Sequence, residues 1–492
     1  MAEPVAEQAA SGAQQEASLL DRIIEEGKMA HEEGQKSYAR DLIGEFVDQV
    51  LEEGMTVKSD TVAAIEKRIA AIDEMLSQQV NEILHYEDFQ KLEGSWRGLQ
   101  YLVFNTETST KLKLRVLNVS KADLVKDLEK ATEFDQSELF KQIYELEYGT
   151  FGGSPYGLMI GDYEFGRSNQ DVALLEKISN VAAAAHAPFI TAASAKLLDM
   201  ESFTELMGPR DLAKLTEGAE MIKWNEFRNS EDSRYVTLVL PHILMRLPYG
   251  PNSKPVEDFD FKEDVTGKDH RKYLWGNAAY ALGQRITDAF AKYGWCAAIR
   301  GNEGGGRVEG LPVHTFQTDE GDVALKCPTE IAITDRREKE LDTLGLAALC
   351  HCKGTDYAAF FSGQTTQKPR KYDTNEANAN ARISAMLPYI LASSRFAHYL
   401  KAIVRDKIGS FMTADNVSTY LNRWIGNYIL AKDDAGQELK AKFPLREARV
   451  DVAEIAGKPG AYTSVVFLRP HFQLEELSTS IRLVAELPPP AA

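Results

Sequence analysis

The chain is poor in cysteine. Cys296, Cys327, Cys350 and Cys352 are the only four in 492 residues, and all lie in its second half. That usage fits a reducing compartment and argues against a disulfide framework. Long apolar runs are missing as well, and none approaches the length that crosses a bilayer. The opening Met-Ala-Glu-Pro-Val-Ala-Glu-Gln has neither a basic nor an apolar region, so no signal peptide is visible. Basic charge is also in short supply. Lys and Arg number 56 against 74 Asp and Glu, for a net charge of -18. Such a surface opposes nonspecific binding to DNA or anionic lipid. The expectation is a cytoplasmic protein with no nucleic-acid partner and no direct membrane insertion.

Recognisable chemistry is scarce. The loop 301–310 carries Gly301, Gly304, Gly305, Gly306 and Gly310 after an apolar run. Glycine loops after strands can cradle phosphates at a helix N-terminus. Here no Gly-Lys-Ser/Thr occurs, and Val308-Glu-Gly-Leu-Pro312 does not open a helix. Cys350, His351 and Cys352 are consecutive, so in an extended stretch they alternate between faces. No second Cys/His pair stands at zinc spacing. The nine histidines are scattered, without an HExxH pattern, and GxSxG is absent. No catalytic, cofactor-binding or metal-ligating residue is nominated. The reading is a structural, non-enzymatic protein that needs no cofactor. The alternative is a nucleotide-binding α/β enzyme using the 301–310 loop.

What is present is patterning. At 44% hydrophobic residues the chain can build real cores, and its length suits two to four domains. Residues 1–18 are Ala, Glu, Gln and Ser, the composition of a disordered tail. A short amphipathic helix follows around 42–51. Ser59 or Asp60 can cap the next helix, whose apolar positions Val62, Ile65, Ile69, Ile72, Leu76 and Ile83 recur at spacings of three and four. Ile65, Ile69 and Ile72 are its candidate partner contacts, since an exposed stripe needs cover.

From 112 onward strands and helices alternate. Strands are predicted at 112–119, 156–161, 188–192, 235–240 and 295–299. Helices are predicted after Ser120 and at 174–185, 273–293, 383–408 and 416–430, and a charged loop at 432–436. This alternation predicts an α/β, mixed α+β, multi-domain fold. The expected divisions are an N-terminal arm with a short helix (1–60), a central α/β domain (61–325) and a C-terminal domain (326–492).

Two segments, 223–234 and 335–340, are dense in both signs of charge. They supply Lys223, Arg228, Asp335 and Arg336 as candidates for a polar, releasable contact surface. The end of the chain is patterned as two strands. Residues 462–468 are β-branched and aromatic, with Tyr462, Val465 and Phe467 among them. In 481–487, Ile481, Leu483, Ala485 and Leu487 share one face, and Arg482, Val484 and Glu486 the other. Pro488, Pro489 and Pro490 follow. A lone pair of strands is marginal, so this arm is expected to join a sheet, its own or a neighbour's.

Several longer motifs resemble a known family. They are Phe89-Gln-Lys-Leu-Glu-Gly-Ser-Trp96-Arg97-Gly98-Leu99, the glycine-rich run 149–163, His186-Ala-Pro-Phe-Ile190, and Asp232-Ser-Arg-Tyr235 with Leu240-Pro241. They continue through Arg246-Leu-Pro-Tyr-Gly-Pro251, Trp275-Gly-Asn-Ala-Ala279, Pro328-Thr-Glu330, Ile333-Thr-Asp-Arg336, and Leu387-Pro-Tyr-Ile390 with Arg395-Phe396. Phe472-Gln-Leu-Glu475 closes the series. Together, from about residue 40 to the end, they are similar to the large contractile-sheath subunit of type VI secretion systems, the TssC/VipB family. The resemblance implies a helical, phage tail-like polymer that is one half of a heterodimer with a small TssB/VipA-like sheath subunit. It also implies contacts with neighbouring copies, an inner tube protein, a baseplate and a recycling ATP-driven unfoldase. Strand arms shared between protomers and a charged tube-facing surface belong to the same implication.

Overall fold

A computed structural model describes residues 33–52 and 61–473, except 209–210, 252, 258, 267–268, 318–320, 322, 411, 433, 459 and 472. The chain divides into one unit ending at Gln79 and another starting at Val80. The first holds the helix Glu33–Glu52 and most of the helix Thr61–Leu84. The first helix is longer than the short helix expected around 42–51, beginning at Glu33, and the second answers the predicted three-four spacing. The strand 481–487 and residues 1–32 lie outside the described residues.

The second unit is built on a six-stranded sheet. In chain order its strands are β1 (Met159–Phe165), β2 (Phe189–Ala193), β3 (Val236–Leu240), β4 (Arg307–Val308), β5 (Leu346–His351) and β6 (Ala358–Phe360). Their spatial order is β1-β2-β3-β5-β6-β4. The first four neighbours run parallel, and β6 and β4 close the edge antiparallel. Parallel strands need both faces covered, which is why β2 and β3 are buried at every position. Alternation sorts their side chains. Val236, Leu238, Leu240, Leu346 and Ala348 enter one core with the helix Asn169–Ala185. Ile190, Val239, Ala347 and Leu349 enter a second core with the helix Ala279–Tyr293.

Local rules hold at several helix ends. Ser120 accepts from the Asp123 amide at 3.1 Å, the capping arrangement its sequence predicts. Gly94 and Gly98 let the helix Glu87–Phe104 lie directly on its neighbours: a Cβ at Gly98 would sit 2.3 Å from the Tyr280 ring. Pro388 stands in the first turn of the helix Leu387–Asp406, where its missing N–H is harmless.

The third core belongs to the C-terminal region. Leu387–Asp406, Ala414–Gly426 and a hairpin of β7 (Leu445–Glu454) and β8 (Tyr462–Pro470) enclose Trp295, Phe396, Leu400, Leu421, Ile425, Leu445 and Val450.

Five expectations need correction. Residues 112–119 form no strand, and 295–299 form none either. The apolar residues of the latter are buried by packing rather than pairing: Trp295 stacks on Phe396 at 4.3 Å, and Ile299 joins the second core. The helix expected from 273 starts at Ala279, because Trp275–Gly276 pairs with Ile243–Leu244. The stretch 383–408 is two helices, broken between Ser384 and Leu387. A boundary at 325/326 would cut the sheet, since β5 pairs with β3.

Candidate interaction surfaces

The hairpin is two-faced. Val450 opposes Val466, and Ala448 opposes Leu468, on the face that packs into the third core. On the other face Arg449 opposes Phe467 and Asp451 opposes Val465. Val465 is 67% exposed and Phe467 49%. Tyr462 is half-buried and donates from its hydroxyl to the Met412 carbonyl at 3.1 Å. Of the strand-arm residues, Tyr462, Val465 and Phe467 therefore lie on β8. Ile481, Leu483, Val484 and Leu487 fall outside the described residues.

The two edges of this hairpin differ. On β7 the Asn422 side chain takes the place of a strand. Its Nδ2 donates to the Val450 carbonyl at 2.7 Å, and its Oδ1 accepts from the Val450 amide at 2.9 Å. Ser418 donates to the same carbonyl. Edge strands are commonly blunted by such cover. Among the described residues, β8 pairs with no strand except β7. Sequence reading missed β7 because its apolar positions alternate with Glu447, Arg449 and Asp451, which resemble a charged loop. The pairing of 462–468 with 481–487 falls outside the described residues, within which the partner of β8 is 445–454.

On the helix Thr61–Leu84, Ile69 and Ile72 are both exposed, with Met75 and Leu76 beside them. The side chain of Ile65 lies outside the described set.

The charged candidates separate. Lys223, Asp335 and Arg336 are exposed, and Arg336 pairs with Glu340 one turn on at 3.0 Å. Arg228 is not a surface charge. It is 4% exposed, and its guanidinium donates to the carbonyls of Thr366 at 2.9 Å and Thr343 at 3.1 Å. Burial pulls its pKa down to about 10. The helix Ile222–Asn229 turns Trp224, Phe227 and Arg228 inward and leaves Lys223 out, a periodicity that charge counting did not weigh.

The 301–310 loop is accounted for by the sheet. The amide of Gly301 donates to Phe360, and the amide of Phe360 donates to Gly306, so the loop delivers β4 to the edge of β6. A Cβ at Gly306 would lie 2.5 Å from the Phe360 carbonyl, and one at Gly305 would lie 2.2 Å from that of Ala298. Close backbone approach requires these glycines, and no helix N-terminus follows them. Among the described residues, no group of three His, Cys, Asp or Glu is placed to hold a metal ion.

The motif residues that carried the resemblance build internal ties. Arg246 makes a bidentate pair with Glu263 at 2.6 and 3.1 Å and reaches Glu93 at 2.8 Å, which also holds Arg97 at 2.7 Å. His242 lies between Glu330, at 2.5 Å, and Glu164, at 2.9 Å, and Glu330 also meets His270. Burial opposes the charge on His242, but the hydrogen bonds to Glu164 and Glu330 outweigh it and lift its pKa to about 10. For Glu330 burial is likewise outweighed by the two histidines, which hold it well below the ordinary carboxylate range.

An open strand edge with apolar residues beside it, and a helix that exposes isoleucines, are the equipment of an assembly subunit. Comparison with known proteins gives this class its family. Residues 66–367 match the EvpB/VC_A0108 tail sheath N-terminal domain, and residues 376–487 match the tail sheath gpW/gp25-like domain of the same family. The type VI secretion system sheath protein TssC1 of Pseudomonas aeruginosa is 52% identical over 446 residues, 90% of each chain. The chain belongs to this tail sheath family. Solved structures give distant likenesses that carry no argument. The anti-feeding prophage baseplate covers 76% of this chain and 83% of its own at 9% identity and a TM-score of 0.38. A contracted extracellular injection-system sheath covers 63% and 68% at 7% identity and a TM-score of 0.34. No described helix is long and apolar enough to cross a membrane.

Proposed function

We propose that this chain is the large subunit of a type VI secretion sheath, a cytoplasmic, non-enzymatic polymer that contracts around an inner tube. The observation that carries the mechanism is the asymmetric hairpin. Asn422 covers β7, while β8 presents an edge in line for a further strand. The period-2 segment 481–487 of a neighbouring copy is the strand proposed to add there, its Leu483 face continuing the buried side of Val466 and Leu468. The small sheath subunit is placed on the Ile65, Ile69 and Ile72 stripe. Lys223, Asp335 and Arg336 are proposed to face the inner tube. The baseplate and a recycling ATP-driven unfoldase complete the set of partners. Sharing strands keeps protomers linked while rigid bodies rotate during contraction.

The test is electron microscopy of the chain co-expressed with its small partner. Hollow striated tubules are expected. Discrete particles would overturn the polymer, and ATP turnover by purified particles would overturn the non-enzymatic reading.

A further inference from the structure

Beside the third core lies an open cleft of about 500 Å³ lined in part by aromatic rings. Its lining includes Phe290, Tyr293, Trp295, Tyr399, Tyr428 and Phe443. Trp295, 5% exposed and stacked on Phe396, belongs to the core beneath the cleft. Tyr399 and Tyr428 stand against it at 72° and 76°, with centroids 6.1 and 5.1 Å away. The half-buried rings of Phe290, Tyr293, Tyr399, Tyr428 and Phe443 above it form an aromatic box. The volume is within the range of ordinary ligand sites. Aromatic grooves of this kind take proline-rich segments, whose extended helix is already rigid and whose rings lie flat on aromatic faces.

The chain itself contains such a segment, Pro488-Pro489-Pro490, among the nineteen residues that follow Gln473. Its starting point is close. After β8 the chain is pinned beside a second cleft, of about 440 Å³. There the Tyr389 hydroxyl donates to the His471 carbonyl at 3.0 Å, and the Gln473 amide side chain donates to the Ala297 carbonyl at 2.9 Å. The two clefts share Tyr293 and flank the segment 440–443. Fifteen steps separate Gln473 from Pro488, a reach of up to roughly 50 Å when extended. Returning to an adjoining cleft needs only a fraction of that. A tether this short gives an effective concentration on the order of millimolar, which favours a chain's own tail over another copy's.

We propose that the aromatic box binds the Pro488–Pro490 segment of the same chain. With Gln473 and Pro488 both held on one body, 481–487 is parked as a closed loop in the unassembled protomer. The tail must leave the box before that strand can reach a neighbour. The proposal therefore adds a release step to the strand-sharing reading. The box itself stands on the cleft, the prolines and the exit point.

The experiment places a photo-crosslinking amino acid at Ala491 of the full-length chain in its unassembled complex with the small subunit. Equal parts of isotopically light and heavy chain are mixed before irradiation. Crosslinks to Tyr293, Tyr399, Tyr428 or Phe443 within one label are expected. Replacing Pro488, Pro489 and Pro490 with Ala should lower their yield about tenfold, the scale of lost aromatic contacts. That variant leaves the body of the protein untouched. A second variant, Tyr428→Ala, should reduce the yield similarly if it folds. Light–heavy pairs would show a second copy in the box and overturn the proposal. Crosslinks elsewhere, or a yield indifferent to the prolines, would overturn it too. Tubule formation by the triple variant reports separately on strand sharing, so loss of one reading is distinguishable from loss of the other.

Discussion

Buried titratable residues make the stability of the fold depend on pH. His242 has a pKa near 10 in the fold against 6.5 free, so its stabilisation is complete below about pH 6.5 and fades as pH rises toward 10. His398 runs the other way. Burial lowers its pKa to about 4, so acidification from 6.5 towards 4 favours unfolding. Glu330, held low, adds to the loss on the acid side. Thermal unfolding of the chain should therefore be most resistant near pH 6.5 and should weaken on both sides. His242→Ala should flatten the alkaline slope, to which His351 still contributes, and destabilise by roughly 3 kcal/mol, because Glu330 stays buried without its nearest cation. An unchanged alkaline slope would contradict this assignment. Arg228 gives a second contrast. Arg228→Ala strands the buried Thr366 carbonyl and should lower stability by about 2 kcal/mol, whereas Lys223→Glu should leave unfolding unchanged. Equal effects, seen by denaturant titration, would sink the distinction between inner and outer charge.

At the scale of elements, periodicity was a good guide where one signal dominated. The helix Thr61–Leu84, the cap at Ser120 and the three strands from Met159 to Leu240 all follow from local rules. It failed where burial came without pairing, as at Trp295 and Ile299, and where a strand's outer face was ionic, as in β7. The closed edge at Asn422 was illegible, because a side chain acting as a strand is a long-range contact with no local signature. Two predictions belong here. Replacing Ile69 and Ile72 with Asp should abolish co-purification of the small subunit while the chain stays folded by circular dichroism. A complex at undiminished yield would make the stripe an internal contact. Ending the chain before Ser478 should leave a folded heterodimer that forms no tubules, and Leu483→Pro should do nearly the same by removing a ladder donor. Full-length tubules from either variant would mean that the arm is dispensable.

At the scale of the whole molecule, the described residues of the second unit close their apolar side chains into cores and leave the β8 edge as the proposed polymer contact. Three hydrophobic cores hold the second unit, and its signature residues tie segments far apart in sequence. Family membership and the open edge of β8 agree on assembly as the purpose of that body. If Lys223, Asp335 and Arg336 grip the tube by charge, sheath assembly on tubes should weaken at high salt while heterodimers persist. Sedimentation of tube-bound sheath across a salt series would read this, and a salt-independent yield would remove those residues from the tube surface. The most direct measurement of strand sharing is a disulfide ladder. Cysteines replace Val465, exposed on β8, and Val484, which alternation sets on the face of 481–487 opposite Leu483. Oxidation of assembled sheath should give a ladder of covalent oligomers of the large subunit, with none from the unassembled heterodimer. Monomers only, from tubules that are intact by microscopy, would contradict the claim that neighbouring protomers share this sheet.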